Sequence, residues 1–235
     1  MNLFQNGFDL LNRGGWVMYP LLGLSIIAFT VMLERGLSIR EAALDAEKLF
    51  AELEPLLKAR RFPEALQCCQ NHSGPVATIL ATGIANRTLD FPDIERAMEE
   101  LALRETPLLQ QRLGMLDTII TMAPLLGLLG TITGMIRAFN VVAGAGSGAP
   151  TAITGGVAEA LIATATGLTI AIVTLPIYNY LTERVSEIIS EMEVSATRLL
   201  NILTVIRYED AQKNRVVLPT RPLIVPAQFE NTNLN

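Results

Sequence analysis

Three stretches without a single charged residue constrain this chain more than any other feature. They are "WVMYPLLGLSIIAFTVML" at 16–33, "TIITMAPLLGLLGTITGMI" at 118–136 and the run from Ala160 to Thr182. At about 1.5 Å of rise per residue, a helix of such length approaches the roughly 30 Å of a bilayer's hydrocarbon core. The rest of the composition agrees. Half of the 235 residues are hydrophobic, only 17% are charged and the mean hydropathy is +0.38, too apolar for an ordinary soluble domain. The expected fold is an all-α membrane protein with three transmembrane helices. The first run opens on Trp16 and Tyr19, aromatic residues suited to the membrane interface. No cluster of positive residues precedes it, and "LERGLSIR" follows where a secretory signal would carry small residues for cleavage, so it reads as a retained anchor.

The spans divide the chain. Residues 1–15 form an N-terminal stub, 16–33 the first span, 34–117 a large helical region and 118–136 the second span. A short loop at 137–155 leads to the third span at 156–181, a continuing helix at 182–213 and a tail at 214–235. Of the 18 lysines and arginines, all but Arg13 and Arg137 fall in the large region and beyond the third span. By the positive-inside rule those segments are cytoplasmic, and the N-terminus and short loop face out. The tail, "KNRVVLPTRPLIVPAQFENTNLN", carries three prolines and a polar end and is expected to be disordered.

The large region is helical in pattern. In "AEKLFAELEPLLKARRFPEALQCC" the residues Leu49, Phe50, Leu53, Leu56, Leu57, Phe62, Leu66 and Cys69 recur at helical spacing, which predicts two short helices broken near Arg61 to Pro63. A further helix starts near Pro92 and runs toward the second span, with Pro107 as a kink or break. After the third span, apolar residues continue at Leu181, Val185, Ile188, Ile189, Met192, Leu199 and Leu200 without a helix breaker. Spans two and three therefore extend as long helices into a cytoplasmic helical bundle. The extensions are either solvated amphipathic helices or surfaces for self-association.

Enzyme chemistry has little support. No nucleotide-binding glycine loop and no nucleophile with its base is present, and nothing suggests a nucleic-acid partner. His72 is the sole histidine, which argues against a histidine metal cluster, and the adjacent Cys68 and Cys69 read as packing residues with no carboxylate or histidine group to complete a site. No cofactor is expected.

The spans themselves carry the chemistry. On a helix of 100° per residue, Gly127, Thr131, Gly134 and Ala138 share one narrow stripe, and "GTITG" from Gly130 to Gly134 has the spacing that lets helices approach closely in lipid. Such a stripe serves either helix packing or the wall of a narrow pore. In the third span Glu159 shares its face with Ala163, Thr166 and Gly167. A carboxylate in hydrocarbon costs about 2.5 kcal/mol or more, so it usually faces a protein interior or a watery path. Beside hydroxyls it suits the passage of a proton or cation, either H⁺ or Na⁺. A second reading stands next to this one: "GGVAE" resembles a helix start, with Gly156 as N-cap and Glu159 meeting the positive end of the helix dipole.

With these residues in view, "APLLGLLGTITGMIRAF" at 123–139 followed by "GGVAEALIATATGLTIAI" at 155–172 resembles the signature of the ExbB/TolQ/MotA proton-channel family. The opening "GGWVMYPLLGLSIIAFTVMLER" is similar to the first span of its ExbB branch, so the likeness leans toward ExbB-type biopolymer transport proteins. The resemblance implies a homopentamer in the bacterial inner membrane, its N-terminus periplasmic and its C-terminus cytoplasmic. It also implies a dimer of a small ExbD- or TolR-like protein, whose single span lies in the pore. Proton flow at that interface would drive a periplasm-spanning protein such as TonB or TolA.

Carried over by motif, the ion pathway comprises Glu159, Thr131 of "GTITG" and Thr164 of "ATATG". Thr166 joins them because it falls about 20° from Glu159 on the helical wheel, against about 140° for Thr164. Gly127, Gly130, Gly134, Ala163 and Gly167 supply helix packing or pore wall. One departure stands out: the family's proline soon after "TAxGLxxAI" is replaced by Val173, and the proline comes at Pro176. The alternatives are a TolQ-type subunit for envelope integrity and a non-conducting membrane scaffold. A flagellar stator subunit fits less well, because MotA-type chains have four spans.

Overall fold

The computed structural model describes residues 14–42, 46–145 and 150–217. Among the described residues every regular element is a helix: α1 (Met18–Ala42), α2 (Ala46–Lys58), α3 (Phe62–Asn71), α4 (Pro75–Ala85), α5 (Phe91–Gln110), α6 (Leu113–Ala145) and α7 (Pro150–Val217). Three helical stretches, Met18–Arg40, Phe91–Gly144 and Thr154–Gln212, are long and apolar enough to cross a membrane. The expected all-α membrane fold with three spanning helices is the fold observed. Only 22%, 28% and 28% of their most apolar windows is buried inside the chain. Leu125, Leu128, Ile132 and Ile136 on α6 and Leu161, Ile172 and Val173 on α7 stay exposed, a surface that matches lipid or further subunits and not water.

α6 and α7 are antiparallel and meet along small residues. A Cβ added to Gly134 would lie 2.8 Å from the Gly156 carbonyl oxygen, and one on Gly127 would lie 3.0 Å from the Thr164 Cα. Gly167 is held equally close to the backbone of Ala123, and Gly130 to Ala163. In lipid, helices gain little from burying apolar surface against each other, because the tails are as apolar as the side chains. Association comes from close van der Waals packing, which small residues permit. The buried positions Ala123, Gly127, Gly130, Gly134 and Ala138 recur every three or four residues along α6. Thr131, expected on this stripe, lies at its edge and is only half-buried, because Gly130 takes the position of closest approach to Ala163. The start of α1 covers this part of the seam, with Val17 and Leu21 packed against Ala123.

Below the seam the apolar stripe of α7 continues through Leu181, Val185, Ile188, Met192, Leu199 and Leu203, all buried. Neither use expected for this stripe, solvated helix or self-association surface, is what the fold shows. The chain's own helices α2 to α5 cover it, with Leu53 and Leu57 of α2, Ile79, Leu80 and Ile84 of α4 and Met98 of α5 in the same core. Gly83 of α4 is wedged between Leu199 and Met98, where a Cβ would come within 2.6 Å of the Leu199 Cδ2. Arg207 fastens the far end, donating to the carbonyls of Arg87 (2.8 Å) and Leu89 and stacking over the Phe91 ring at 4.4 Å. Arg60 pairs with Asp210 in the same region.

Local punctuation explains the element borders. α2 ends with Arg60 at φ 62°, its N–H bonded to the Leu57 carbonyl and that of Arg61 to the Leu56 carbonyl. This left-handed closure satisfies the last carbonyls and turns the chain back, and Pro63 then sits in the first turn of α3, where no donor is needed. Pro107, expected as a kink or break, lies inside α5; the break comes instead at Gln111 and Arg112, the latter at φ 65°. The corner is tied to α1: the buried Arg35 donates to the Leu108 carbonyl (3.3 Å) and to Gln111 Oε1 (3.1 Å), and Arg112 pairs with Glu34.

Two expectations need correcting. Residues 137–155 are not an extended loop, since α6 continues to Ala145 and α7 begins at Pro150. Gly156 is therefore interior to α7 and caps nothing; its own packing explains the glycine, because a Cβ there would lie 2.6 Å from the Ala138 Cβ. Most of the N-terminal stub (1–13) and most of the C-terminal tail (218–235) lie outside the described residues.

The shared core makes the bundle of α2 to α5 and the α7 extension one cooperative unit. Leu199→Ala, at a position with no solvent exposure, is expected to destabilise the protein by about 2–5 kcal/mol. Thermal unfolding of the detergent-solubilised chain, followed by circular dichroism, checks this. A change below about 1 kcal/mol would mean that the bundle does not pack on α7.

Candidate functional site

Glu159 is the tenth residue of α7, on the face turned toward α6. The antiparallel register of the glycine seam brings Arg137 of α6 opposite it. One guanidinium nitrogen, Nη1, donates to both carboxylate oxygens, at 2.7 Å to Oε1 and 3.0 Å to Oε2. The Glu159 side chain is 15% exposed and that of Arg137 54%. A third element closes the site. Gly15, at φ +72°, lies so close that any Cβ there would overlap the Glu159 carboxyl group. The carboxylate is thus enclosed by two membrane helices and the turn that starts α1, where the Met18 N–H bonds the Gly15 carbonyl.

The hydroxyl groups are arranged differently from what the wheel suggests. Thr164 Oγ1 crosses the seam and donates to the Gly127 carbonyl at 2.9 Å, so it braces α7 against α6. Thr166 Oγ1 donates to the Ile162 carbonyl (2.8 Å) and Thr131 Oγ1 to the Leu128 carbonyl (2.7 Å), each within its own helix. All three are partly buried, and their donated bonds go to carbonyls and not to Glu159. Each hydroxyl oxygen keeps acceptor capacity for a passing donor. Gly127, Gly130, Gly134, Ala163 and Gly167 all lie in the α6–α7 seam, buried by the chain itself.

The profile of the MotA/TolQ/ExbB proton channel family matches residues 71–194, a stretch that contains the entire seam, Arg137 and Glu159. The chain belongs to this family. It is a membrane protein of a group defined by proton channels and not by an enzymatic reaction. The chain is 38% identical over 214 residues to an ExbB-like protein, number 1, of Synechocystis sp., covering 85% of this chain and 80% of that one. It is 35% identical over 133 residues to the biopolymer transport protein ExbB of Xanthomonas campestris pv. campestris, covering 57% and 52% of the two chains. The Tol-Pal system protein TolQ of Haemophilus influenzae is 41% identical over 93 residues, 40% of this chain and 41% of that one. The likeness to the ExbB/TolQ/MotA group drawn from the span motifs is thereby shown.

Two members of the site escaped the linear reading. In sequence Arg137 falls in the loop after the second span, because a charge next to a span normally marks its end, and Gly15 is only part of the first-span motif. The glycines hold a partial signal for Arg137: it and Glu159 each lie three residues from the Gly134–Gly156 contact, within a helical turn of it and within reach of a long arginine side chain. A second omission lies outside the membrane region. In sequence the vicinal cysteines have no carboxylate and histidine cluster to complete a site. The structure corrects this, because the turn at Ala59 to Arg61 folds α2 back on α3 and brings Glu52 of α2 against Cys68 and His72. Cys68 is half-buried and faces Glu52, while Cys69 points into the core, where burial, followed by the neighbouring Cys68, pushes its thiol up to about 12.

If Arg137 and Glu159 act as one unit, their substitutions are not additive. Arg137→Ala and Glu159→Ala together are expected to cost about 0.5–1 kcal/mol less than the two effects added, a coupling kept small by the exposure of the arginine. Thermal unfolding of the four proteins in detergent measures it. Strict additivity would show that the pair contributes nothing.

Proposed function

We propose that this chain is the pore-forming subunit of an inner-membrane motor driven by the proton-motive force, of ExbB type, that energises TonB-dependent transport across the outer membrane. The observation that carries this reading is Glu159, a carboxylate held between two apolar helices at the end of the seam, in a chain of the proton-channel family. Enclosing a charge among spanning helices has a cost that ordinary folding does not require, which argues for a role in ion movement. Thr131, Thr164 and Thr166 are assigned to the same pathway, their oxygen lone pairs serving as stations for a proton carrier. H⁺ is the coupling ion of this reading, and the oxygen groups would also suit Na⁺. No cofactor and no catalysed reaction enter it.

The same reading has five copies of the chain surround a dimer of an ExbD- or TolR-like single-span protein, whose pore aspartate exchanges protons near Glu159. The exposed apolar faces of α1, α6 and α7 supply surface for neighbouring copies and lipid. The distribution of lysine and arginine supports an N-terminus in the periplasm and a C-terminus in the cytoplasm. The Arg137–Glu159 pair then sits at the periplasmic end of the spans. Each proton moving down the gradient brings about 2.3 kcal/mol per 100 mV of membrane potential to the work. The local similarity to TolQ favours, as the second choice, a TolQ-type role in envelope integrity. A non-conducting scaffold is the remaining reading, supported by the burial of the small residues in a seam within the chain.

The test uses the chain co-purified with an ExbD- or TolR-like single-span protein, reconstituted in liposomes under an imposed potential. Glu159→Gln is expected to lower partner-dependent proton uptake at least about tenfold while the complex keeps its size. Uptake at the native level in Glu159→Gln overturns the assignment of Glu159. Absence of partner-dependent uptake in the native complex favours the scaffold.

A further inference from the structure

The convergence of Glu52, Cys68 and His72 has no part in the membrane chemistry and lies on the bundle formed by α2 to α4. One ligand-capable atom from each of the three side chains lies within 4.8 Å of those of the other two. Cys68 and His72 stand four residues apart, on one face at the end of α3, and Glu52 reaches them from α2. The Cys68 Sγ to Glu52 Oε2 distance is 3.6 Å. Tetrahedral zinc with bonds of about 2.3 Å to sulfur and about 2.0 Å to oxygen places those two ligands about 3.5 Å apart. The pair already has the separation that a shared ion requires.

His72 is oriented as well. Its Nδ1 lies 2.9 Å from the Cys68 carbonyl oxygen, and a carbonyl only accepts, so Nδ1 carries the hydrogen and the neutral ring keeps its lone pair on Nε2. Ligating histidines are commonly fixed in this way, by a backbone carbonyl on the nitrogen that does not bind the metal. The donor set also decides the charge. One carboxylate, one thiolate and one neutral imidazole sum to two negative charges and would leave a bound divalent ion neutral. Mixed sulfur, nitrogen and oxygen donors in a tetrahedral arrangement suit zinc better than the harder, oxygen-seeking magnesium or calcium. Three protein ligands leave a fourth position, and a cavity of about 150 Å³ whose lining includes Lys48, Leu49, Glu52, His72, Ser73 and Gly74 adjoins the group, with room for water there.

We propose that Glu52, Cys68 and His72 form a zinc site that clips α2 to α3 and leaves one coordination position open to solvent. Binding replaces the Cys68 thiol proton, which passes to water, with a sulfur–zinc bond. The ion crosslinks the two helices of the hairpin that covers the cytoplasmic extension of α7, so it stabilises the bundle far from Glu159.

The experiment uses the full chain in detergent, treated with a chelator, dialysed and then titrated with Zn²⁺ against a competing dye. One zinc per chain is expected, with affinity falling at least about tenfold in Cys68→Ser, in His72→Ala and in Glu52→Gln. Cys69→Ser, which alters a residue facing the core, is expected to bind as the native chain does. Co²⁺ in place of Zn²⁺ should give the near-ultraviolet absorption of a sulfur-to-cobalt charge transfer in the native chain and not in Cys68→Ser. Helicity by circular dichroism identifies any variant that fails to fold, and the cobalt spectrum of the native chain then decides. Weak or superstoichiometric zinc binding, unchanged by Cys68→Ser, overturns the site, as does a native cobalt complex without sulfur absorption.

Discussion

Backbone-to-backbone contact between α6 and α7 is the constraint on which the rest of this protein depends. Two helices in lipid gain little from hiding leucines against each other, so their register must come from shape. Here the shape is a row of glycines and alanines that admits the partner's backbone, with Gly134 against Gly156, Gly127 against Thr164 and Gly167 against Ala123. A rotation of α6 by one residue position, about 100°, would drive the Leu128 side chain into that gap. The hydrogen bond from Thr164 to the Gly127 carbonyl adds a directional contact to a contact surface otherwise made of dispersion forces.

From that register two consequences follow at opposite ends. Toward one end the helices carry Arg137 and Glu159 into hydrogen-bonding distance, and the turn at Gly15 closes over the carboxylate. Toward the other they emerge from the apolar segments as α5–α6 and the long extension of α7, whose stripe becomes the spine of the bundle. The driving force changes along a single helix. Within the charge-free run small residues prevail, whereas beyond Leu181 large aliphatic residues take their place, since there water makes apolar burial favourable. Rigid continuity of α7, through Pro176 and down to Val217, mechanically links the two regions.

Much of this was legible in the chain. The charge-free runs announced the spans, and the apolar spacing around Leu49 to Cys69 announced the α2–α3 hairpin, with its break at the expected place. The span motifs carried the family. What escaped were pairings between segments distant in sequence. Gly156 read as a cap because a Gly-Gly-x-x-Glu string is compatible with a helix start, yet the helix had already begun at Pro150. The extension of α7 read as an unpartnered stripe because nothing local says which face the α2–α5 helices will cover. Glu52 went unnoticed beside Cys68 because the two lie sixteen residues apart.

The sequence by itself determined that this protein crosses a membrane with helices, roughly where it does so, and which residues are small enough or charged enough to matter there. Those properties reside in length, hydropathy and side-chain volume, all of which are written along one dimension. Only the tertiary structure decided what faces what: that Glu159 meets Arg137 and Gly15, that the threonine hydroxyls bond carbonyls, and that Glu52, Cys68 and His72 converge. Register and helix rotation set those encounters. Both are fixed by close packing summed over many weak contacts, so no single residue carries the information.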